Sequence, residues 1–306
     1  MVALPPVAAD PVPLVDHHQH IFDASAIGLA TGFRVMDGAD LVALLDAAGI
    51  RRAAVLSVAY QFGNPNRAPV ENEYEKVKAE NDWTSSQVAR FPDRLRGFCG
   101  VNPLKDYALD EIARCARDPQ LRFGVKMHFG NSDVDLDNPQ HIAALRRVFA
   151  AANERRMAIA IHMRSSVTRQ RPYGTREAAA FLNDVLPAAP DVTVQIAHLT
   201  GSGTYDDPTT DQALSVFVDA IAKRDPRMAR VIFDVSGIAG YGKWTENVNR
   251  IVSRLRQIGM ERLFYGSDSA NAGGLSPKDA WAAFRALPLT DAELRIIASN
   301  VAPYMR

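Results

Sequence analysis

Residues 123–162 open on Phe123-Gly124-Val125-Lys126-Met127-His128, pass through an amphipathic run at Pro139–Arg155, and close on Ala158-Ile159-Ala160-Ile161-His162. A short apolar run, a longer run of helical period and a second short apolar run predict two parallel strands joined by a helical crossover. The unit repeats in both directions along the chain. Strand-like runs stand at Leu14–His18, Ala53–Val58, Leu95–Val101, Phe123–His128, Ala158–His162, Val192–His198, Val231–Val235 and Leu263–Ser267. Helical periodicity fills the intervals at Ala39–Ala48, Asn72–Arg90, Leu109–Ala116, Pro139–Arg155, Arg176–Leu186, Gln212–Lys223 and Trp244–Ile258, and again at Pro277–Leu287 and Asp291–Ser299. Eight strand–helix units without an interrupting linker predict an α/β fold, a single (β/α)8 TIM barrel of eight parallel strands over residues 14–306. A doubly wound open sheet is the competing fold. Its Gly-rich turn after the first strand is absent, and Asp16-His17-His18-Gln19-His20 stands there instead.

The chain has 306 residues, enough for such a barrel. Hydrophobic residues make up 47% and charged residues 23%, which excludes disorder as the main state. Lys and Arg number 35 and Asp and Glu number 35, so the net charge is zero. This balance gives no electrostatic footprint for nucleic acid or an anionic membrane, and no apolar run is long enough to span one. The expected partner is a small-molecule substrate, with room for a homo-oligomer. Residues 1–13 carry Pro5, Pro6, Pro11 and Pro13 and no Lys or Arg, which reads as an extended arm without the charged start of a signal peptide. Two cysteines, Cys99 and Cys115, cannot make a disulfide framework. The default is a reducing, cytoplasmic location; one bridge, and an exported mature form with its signal removed, stay open.

Seven histidines carry most of the chemistry: His17, His18, His20, His128, His141, His162 and His198. All but His141 fall in or just after a strand-like run, towards its C-terminal end, where the active sites of such barrels lie. Side chains alternate along a strand. In Ala158–His162 the bulky Ile159 and Ile161 suit the helix side, so His162 points inward with the alanines. In 124–128, Val125 and Met127 face out, while Lys126 and His128 face in. His18 and His20 share a face, His198 shares one with Val194 and Ile196, and Asp268 shares one with Phe264 and Gly266. His18, His20, Lys126, His162, His198 and Asp268 therefore converge at the mouth. Imidazoles and a carboxylate are good ligands for Zn or a similar divalent ion, which makes a water nucleophilic near neutral pH. Asp268 could ligate the ion, accept the water's proton, or do both. His17 reads as a supporting or structural residue and His141 as a solvated helix residue.

These residues resemble the amidohydrolase superfamily, in its amidohydrolase-2 branch, over nearly the whole chain from about residue 14 to 300. The resemblance rests on Asp-His-His-Gln-His at 16–20, Gly-Val-Lys-Met-His at 124–128, Ala-Ile-His at 160–162, Ile-Ala-His at 196–198 and Tyr-Gly-Ser-Asp at 265–268. It implies that His18 and His20 bind metal and that His162, His198 and Asp268 complete the set. In some relatives a carboxylated lysine at the position of Lys126 bridges two metals; in others one metal suffices and the histidine matching His198 polarises substrate. One or two divalent ions per chain are expected, zinc first and manganese second.

The branch holds hydrolases, lactonases and non-oxidative decarboxylases that share ligands and differ in loops. Candidates for substrate contact are Tyr60, Asn102, His128, Asn131, Arg164, Arg169, Tyr173, Ser236 and Tyr241. Arg164, two residues past His162, suits a substrate carboxylate; a salt bridge across the barrel rim is the other reading. Gly201-Ser202-Gly203-Thr204 reads either as an anion cradle or as a flexible loop. The sequence thus points to a metal-dependent hydrolase of an ester, lactone or amide of a small carboxylated molecule, with Asp268 and His198 as catalytic residues and Arg164, His128, Asn131 and Tyr173 in contact with substrate. The alternative is a metal-dependent decarboxylase of a small unsaturated or aromatic acid.

Overall fold

The computed structural model describes residues 10–24, 35–203, 205, 207–238, 248–270 and 274–306. Most of the 1–13 arm, Thr204, Tyr241 and residues 244–247 lie outside the described residues. Eight strands follow one another in a single parallel order: β1 Val15–Gln19, β2 Arg52–Leu56, β3 Leu95–Gly100, β4 Gly124–His128, β5 Ala158–His162, β6 Val194–Ile196, β7 Val231–Asp234 and β8 Leu263–Phe264. Main-chain bonds from His17 N–H to Tyr265 O (2.8 Å) and from Asp268 N–H to His18 O (2.9 Å) bring the last strand back against the first. The architecture is the expected (β/α)8 barrel.

The helices are α1 Gly38–Ala48, α2 Glu73–Ala89, α3 Ala108–Cys115, α4 Pro139–Glu154, α5 Thr175–Ala180, α6 Pro208–Ala222, α7 Val248–Ile258, α8 Pro277–Arg285 and α9 Asp291–Ser299. Local chemistry sets their starts. Asp37 and Thr290 form capping boxes with Asp40 and Glu293, and Asn138, Asp207 and Ser276 cap helices that begin with proline. Helix α6 begins four residues before the expected Gln212, because Asp207-Pro208 is itself a start signal. The expected helix from Arg176 to Leu186 runs as α5, then a wide turn at Phe181–Val185, then a tight turn at Leu186–Ala188 that contains Pro187. No helix among the described residues is long and apolar enough to cross a membrane.

Two apolar clusters divide the interior. Between strands and helices lie Val125, Met127, Ile159 and Ile161 with Leu41, Phe217 and Leu255. Inside the barrel lie Val15, Ala54, Leu56, Phe98, Ala158, Ala160, Ile232 and Phe264, closed from below by Ala302, Tyr304 and Met305. The alternation expected for β4 and β5 holds. Gly124 is required there, because a Cβ would fall 2.2 Å from the Phe98 ring that fills the barrel. Cys99 on β3 and Cys115 on α3 form a disulfide, Cα–Cα 6.1 Å. The one bridge left open by the sequence ties strand to helix.

Candidate active site and metal centre

Strand β1 places its histidines through an irregularity. The register against β2 shifts between Asp16 and Gln19, so neighbouring side chains do not simply alternate. The His17 ring packs edge-on against Phe264 and Tyr304 inside the barrel. Its Nδ1 donates to Tyr265 O (2.9 Å) and its Nε2 accepts from Ala302 N–H (3.2 Å). His17 therefore secures the closing segment of the barrel, in keeping with a structural role.

His18 and His20 face the mouth. The Nδ1 of His18 lies 2.9 Å from Asp234 Oδ2, and that of His20 lies 2.5 Å from Leu56 O. A carboxylate and a carbonyl only accept, so each Nδ1 carries the proton and each Nε2 presents a lone pair, that of His18 also within reach of Lys126 Nζ. These two Nε2 atoms face each other at 3.2 Å. Two lone pairs at that separation repel unless a cation lies between them. Tetrahedral ligands at the ~2.0–2.1 Å of a Zn–N bond stand roughly 3.3 Å apart, so the pair fits one divalent ion.

Other donors surround the pair. Lys126 Nζ is 3.3 Å from His18 Nε2, Asp268 Oδ1 is 3.7 Å from His20 Nε2, and Asp268 Oδ2 is 4.0 Å from His198 Nε2. Ligand atoms of His18, His198 and Asp268 lie within 4.8 Å of one another. Burial, with Lys126 nearby, lowers the His18 pKa to about 3, and burial lowers those of His20 and His198, so all three rings are neutral. Burial also lowers the Lys126 pKa to about 8 against the pull of Asp268 and Asp234.

His198 reaches this cluster by a route that differs from the expected one. Val194 and Ile196 pack into the outer cluster, so an extended strand would send His198 outward with them. Instead the strand stops at Ile196, and His198, Leu199 and Thr200 all take positive φ (53°, 48° and 74°). That left-handed turn swings the ring inward, where Nδ1 meets Ser236 O and Ser236 Oγ, both at 2.9 Å. Asp268 likewise lies beyond the end of β8, at φ 52°. Asp16 supports it from β1 by accepting from Ser267 N–H and Oγ–H, and Gln19 accepts from Ser269 Oγ–H. Gly266 lets the segment pass close to β1, since a Cβ would sit 2.7 Å from that of His18.

Asp234, at the end of β7, is absent from the candidates read from sequence. It is fully buried. Oδ2 accepts from His18 Nδ1 (2.9 Å) and Gln195 Nε2 (2.7 Å); Oδ1 accepts from His198 N–H (3.1 Å), Ser236 N–H (3.2 Å) and Ser236 Oγ–H (2.5 Å). Burial alone would raise its pKa, but His18, His198 and the Ser236 hydroxyl hold it well below the usual carboxylate range. The chain of bonds continues from Gln195 Oε1 to the Tyr304 hydroxyl beneath the barrel. The signal in the sequence is an acid at the end of the apolar run Val231-Ile232-Phe233, where burial demands partners.

On the opposite wall, His162 stacks on His128 (centroids 3.8 Å apart) and meets the His198 ring edge-on at 5.0 Å. His128 Nδ1 accepts from Asn131 N–H (3.0 Å), and buried Tyr60 lies 5.5 Å from the His128 ring. Arg164 takes the rim position: Nε bonds Asp207 Oδ2 at 2.9 Å, and the guanidinium lies 4.6 Å from the Tyr173 ring centroid. Tyr173 donates to Thr200 O. Three further candidates do structural work. Asn102 bridges Gly63 O and Leu104 N–H, Ser236 is buried against Asp234 and His198, and Arg169 binds Asn66 and Asp133. His141 is half-buried and accepts from Asp135 N–H, so it braces a loop.

Known proteins agree with this architecture. A family profile described as amidohydrolase matches residues 15–301. No curated protein matches the chain. Among solved structures, a 5-carboxyvanillate decarboxylase from Novosphingobium aromaticivorans with bound manganese is 16% identical, with TM-score 0.61, and 94% of this chain covers 95% of it. A probable 2-pyrone-4,6-dicarboxylic acid hydrolase from Acinetobacter baumannii with citric acid bound is 16% identical, with TM-score 0.61 and coverage of 94% and 96%. An amidohydrolase from Burkholderia multivorans with bound zinc is 12% identical, with TM-score 0.62 and the same coverage. At these identities the likeness is one of fold, while the family profile spans the five segments that form the mouth: the chain belongs to the amidohydrolase family.

Proposed function

We propose that this amidohydrolase is a metal-dependent hydrolase that cleaves an ester, lactone or amide bond of a small carboxylated molecule. The observation that carries the metal dependence is the facing pair of unprotonated Nε2 atoms on His18 and His20, 3.2 Å apart. His18, His20, His198 and Asp268 would hold the ion, with Lys126 and His162 beside them. When bound, a divalent ion supplies Lewis acidity and brings the pKa of a water down from 15.7 to about 7. Asp268, beside both His20 and His198, takes the proton of the attacking water and returns it to the leaving group. The Nδ1 proton of His198 is committed to Ser236, so its Nε2 accepts. That favours a ligand or proton-acceptor role over donation to an oxyanion, which would need a doubly protonated ring that burial opposes. Arg164 at the rim supports a carboxylated substrate. The Cys99–Cys115 bridge supports an exported protein over the cytoplasmic default.

A second reading, a decarboxylase of a small unsaturated or aromatic acid, is supported by the flat His128–His162 stack beside Tyr60, a face suited to a planar substrate. One experiment tests both. Chain reloaded with zinc or manganese is screened against small lactones, esters, amides and unsaturated or aromatic acids, with acid release and CO2 followed together. Acid release without CO2 is the expected result; CO2 release from an acid selects the second reading.

A further inference from the structure

The opposite end of the barrel carries a second feature that the proposed chemistry does not use. Where β4 to β7 begin, a cleft of about 490 Å³ is lined by Arg122, Arg155, Arg156 and Arg230, with Asp191 as its one acid. The whole chain is neutral, so four positive charges to one negative is a local excess. Arg122, Arg155, Arg156 and Arg230 are exposed. Asp191 is occupied with Asn153, which it meets through Oδ2 at 3.0 Å and through its own N–H at 2.8 Å. Arg155 has a loose 3.5 Å pair with Glu154. Among the described residues, Arg122, Arg156 and Arg230 show no ion pair. By contrast Arg94, Arg114, Arg171, Arg254 and Arg256 on other faces each hold a carboxylate within 3.0 Å.

The cleft is built rather than merely charged. Phe123 forms part of its lining, and the guanidinium groups of Arg96 and Arg122 lie 4.3 and 5.5 Å from the centroid of that ring. These contacts hold positive charge beside the ring without satisfying it by a carboxylate. Tyr304 and Pro303 form another wall, and the Tyr304 hydroxyl is anchored on Gln195 within the barrel. Thr193 adds a hydroxyl at the start of β6. Four arginines gathered in one concave site against mutual repulsion, with a single acid that is already engaged, suit a compact anion of three or more charges.

We infer that this cleft binds a compact multivalent anion bearing phosphate or carboxylate groups, at a site separate from the catalytic mouth. The test is isothermal titration of the full chain at low ionic strength with tripolyphosphate and, separately, with benzene-1,3,5-tricarboxylate. The expected result is saturable 1:1 binding of at least one of them. The anion that binds more tightly identifies the favoured acid group. Affinity should fall about tenfold in each of Arg156→Gln and Arg230→Gln, a loss in the range for a charge-assisted contact at a surface, and stay unchanged in Lys76→Gln on the exposed face of α2. Both anions can chelate, so the titration is repeated on the His18→Ala/His20→Ala chain, where binding should persist. Absence of saturable heat with both anions, equal affinity in the arginine variants and the parent, or loss of binding in the histidine double variant would overturn the inference.

Discussion

The two walls of the barrel mouth are built differently. On the side formed by the ends of β1, β6 and β7, His18, His20 and His198 each have one ring nitrogen tied to an acceptor, and Asp234 gathers five donors around a single carboxylate. On the β4–β5 side, His128 and His162 stack on each other, with His128 Nδ1 taking the Asn131 N–H, and Arg164 is tethered at the rim by Asp207. A ligand for a cation must present a defined lone pair, which takes a fixed tautomer and a fixed ring angle. A group that meets substrate needs a face and some freedom. The contrast supports the proposal that the first wall holds the metal and the second meets substrate.

The sharpest way to break this division is to remove the facing nitrogens. His18→Ala together with His20→Ala should abolish both metal content and turnover, while circular dichroism shows a folded barrel, because the packed interior lies below the mouth. Elemental analysis of parent protein prepared without chelators should find one or two divalent ions per chain. A parent chain that carries no metal and gains no activity from any divalent ion would end the proposal. Next in size is Asp268→Asn, which keeps shape and removes the proton acceptor. Turnover should fall ~10²–10⁴-fold with metal partly retained; survival within a factor of a few would make Asp268 structural.

Asp234→Asn sharpens the comparison further, since it touches no substrate. It replaces one acceptor oxygen by a donor against His18 or Ser236, and metal affinity should weaken by ~10–100-fold, read from competition with a chelator of known affinity. An unchanged affinity would mean that the ring orientations are set elsewhere. On the other wall, Arg164→Met should raise KM roughly tenfold for carboxylated substrates and little for neutral esters. Equal effects on both would assign Arg164 to bracing the rim with Asp207.

A separate effect, on stability rather than activity, concerns pH. Burial lowers the His17 pKa to about 4 from 6.5. Between those values the unfolded chain takes up a proton that the folded chain refuses. Folding stability should therefore fall as pH drops from 6.5 towards 4, by about 1.4 kcal/mol per pH unit for this residue. Urea midpoints measured across that range should show a shallower slope in His17→Asn if the assignment is right.

The barrel was legible in eight apolar runs separated by helical periods, and the inward parity of Lys126 and His162 in the bulky opposite faces of their two runs. The positions that reach the expected site by a route other than strand parity share one cause. At Asp16–Gln19, at His198 and at Asp268 the chain leaves regular strand geometry, through a register shift or a left-handed residue, and period-two counting fails there. Asp234 and Gln195 are not marked by the sequence, because each is a single polar residue at or within an apolar run and its meaning depends on distant partners such as His18, 216 residues from Asp234.

The sequence by itself determined which residue types stand at the ends of the strands, since periodicity is local and hydrophobic burial enforces it. Only the tertiary structure decided which ring nitrogen carries each proton, that Cys99 meets Cys115, that Arg164 Nε reaches Asp207, and that arginines without a carboxylate partner among the described residues gather beneath the barrel. Those outcomes depend on directional contacts between residues far apart in the chain, and a hydrogen bond or an ion pair has no period to read.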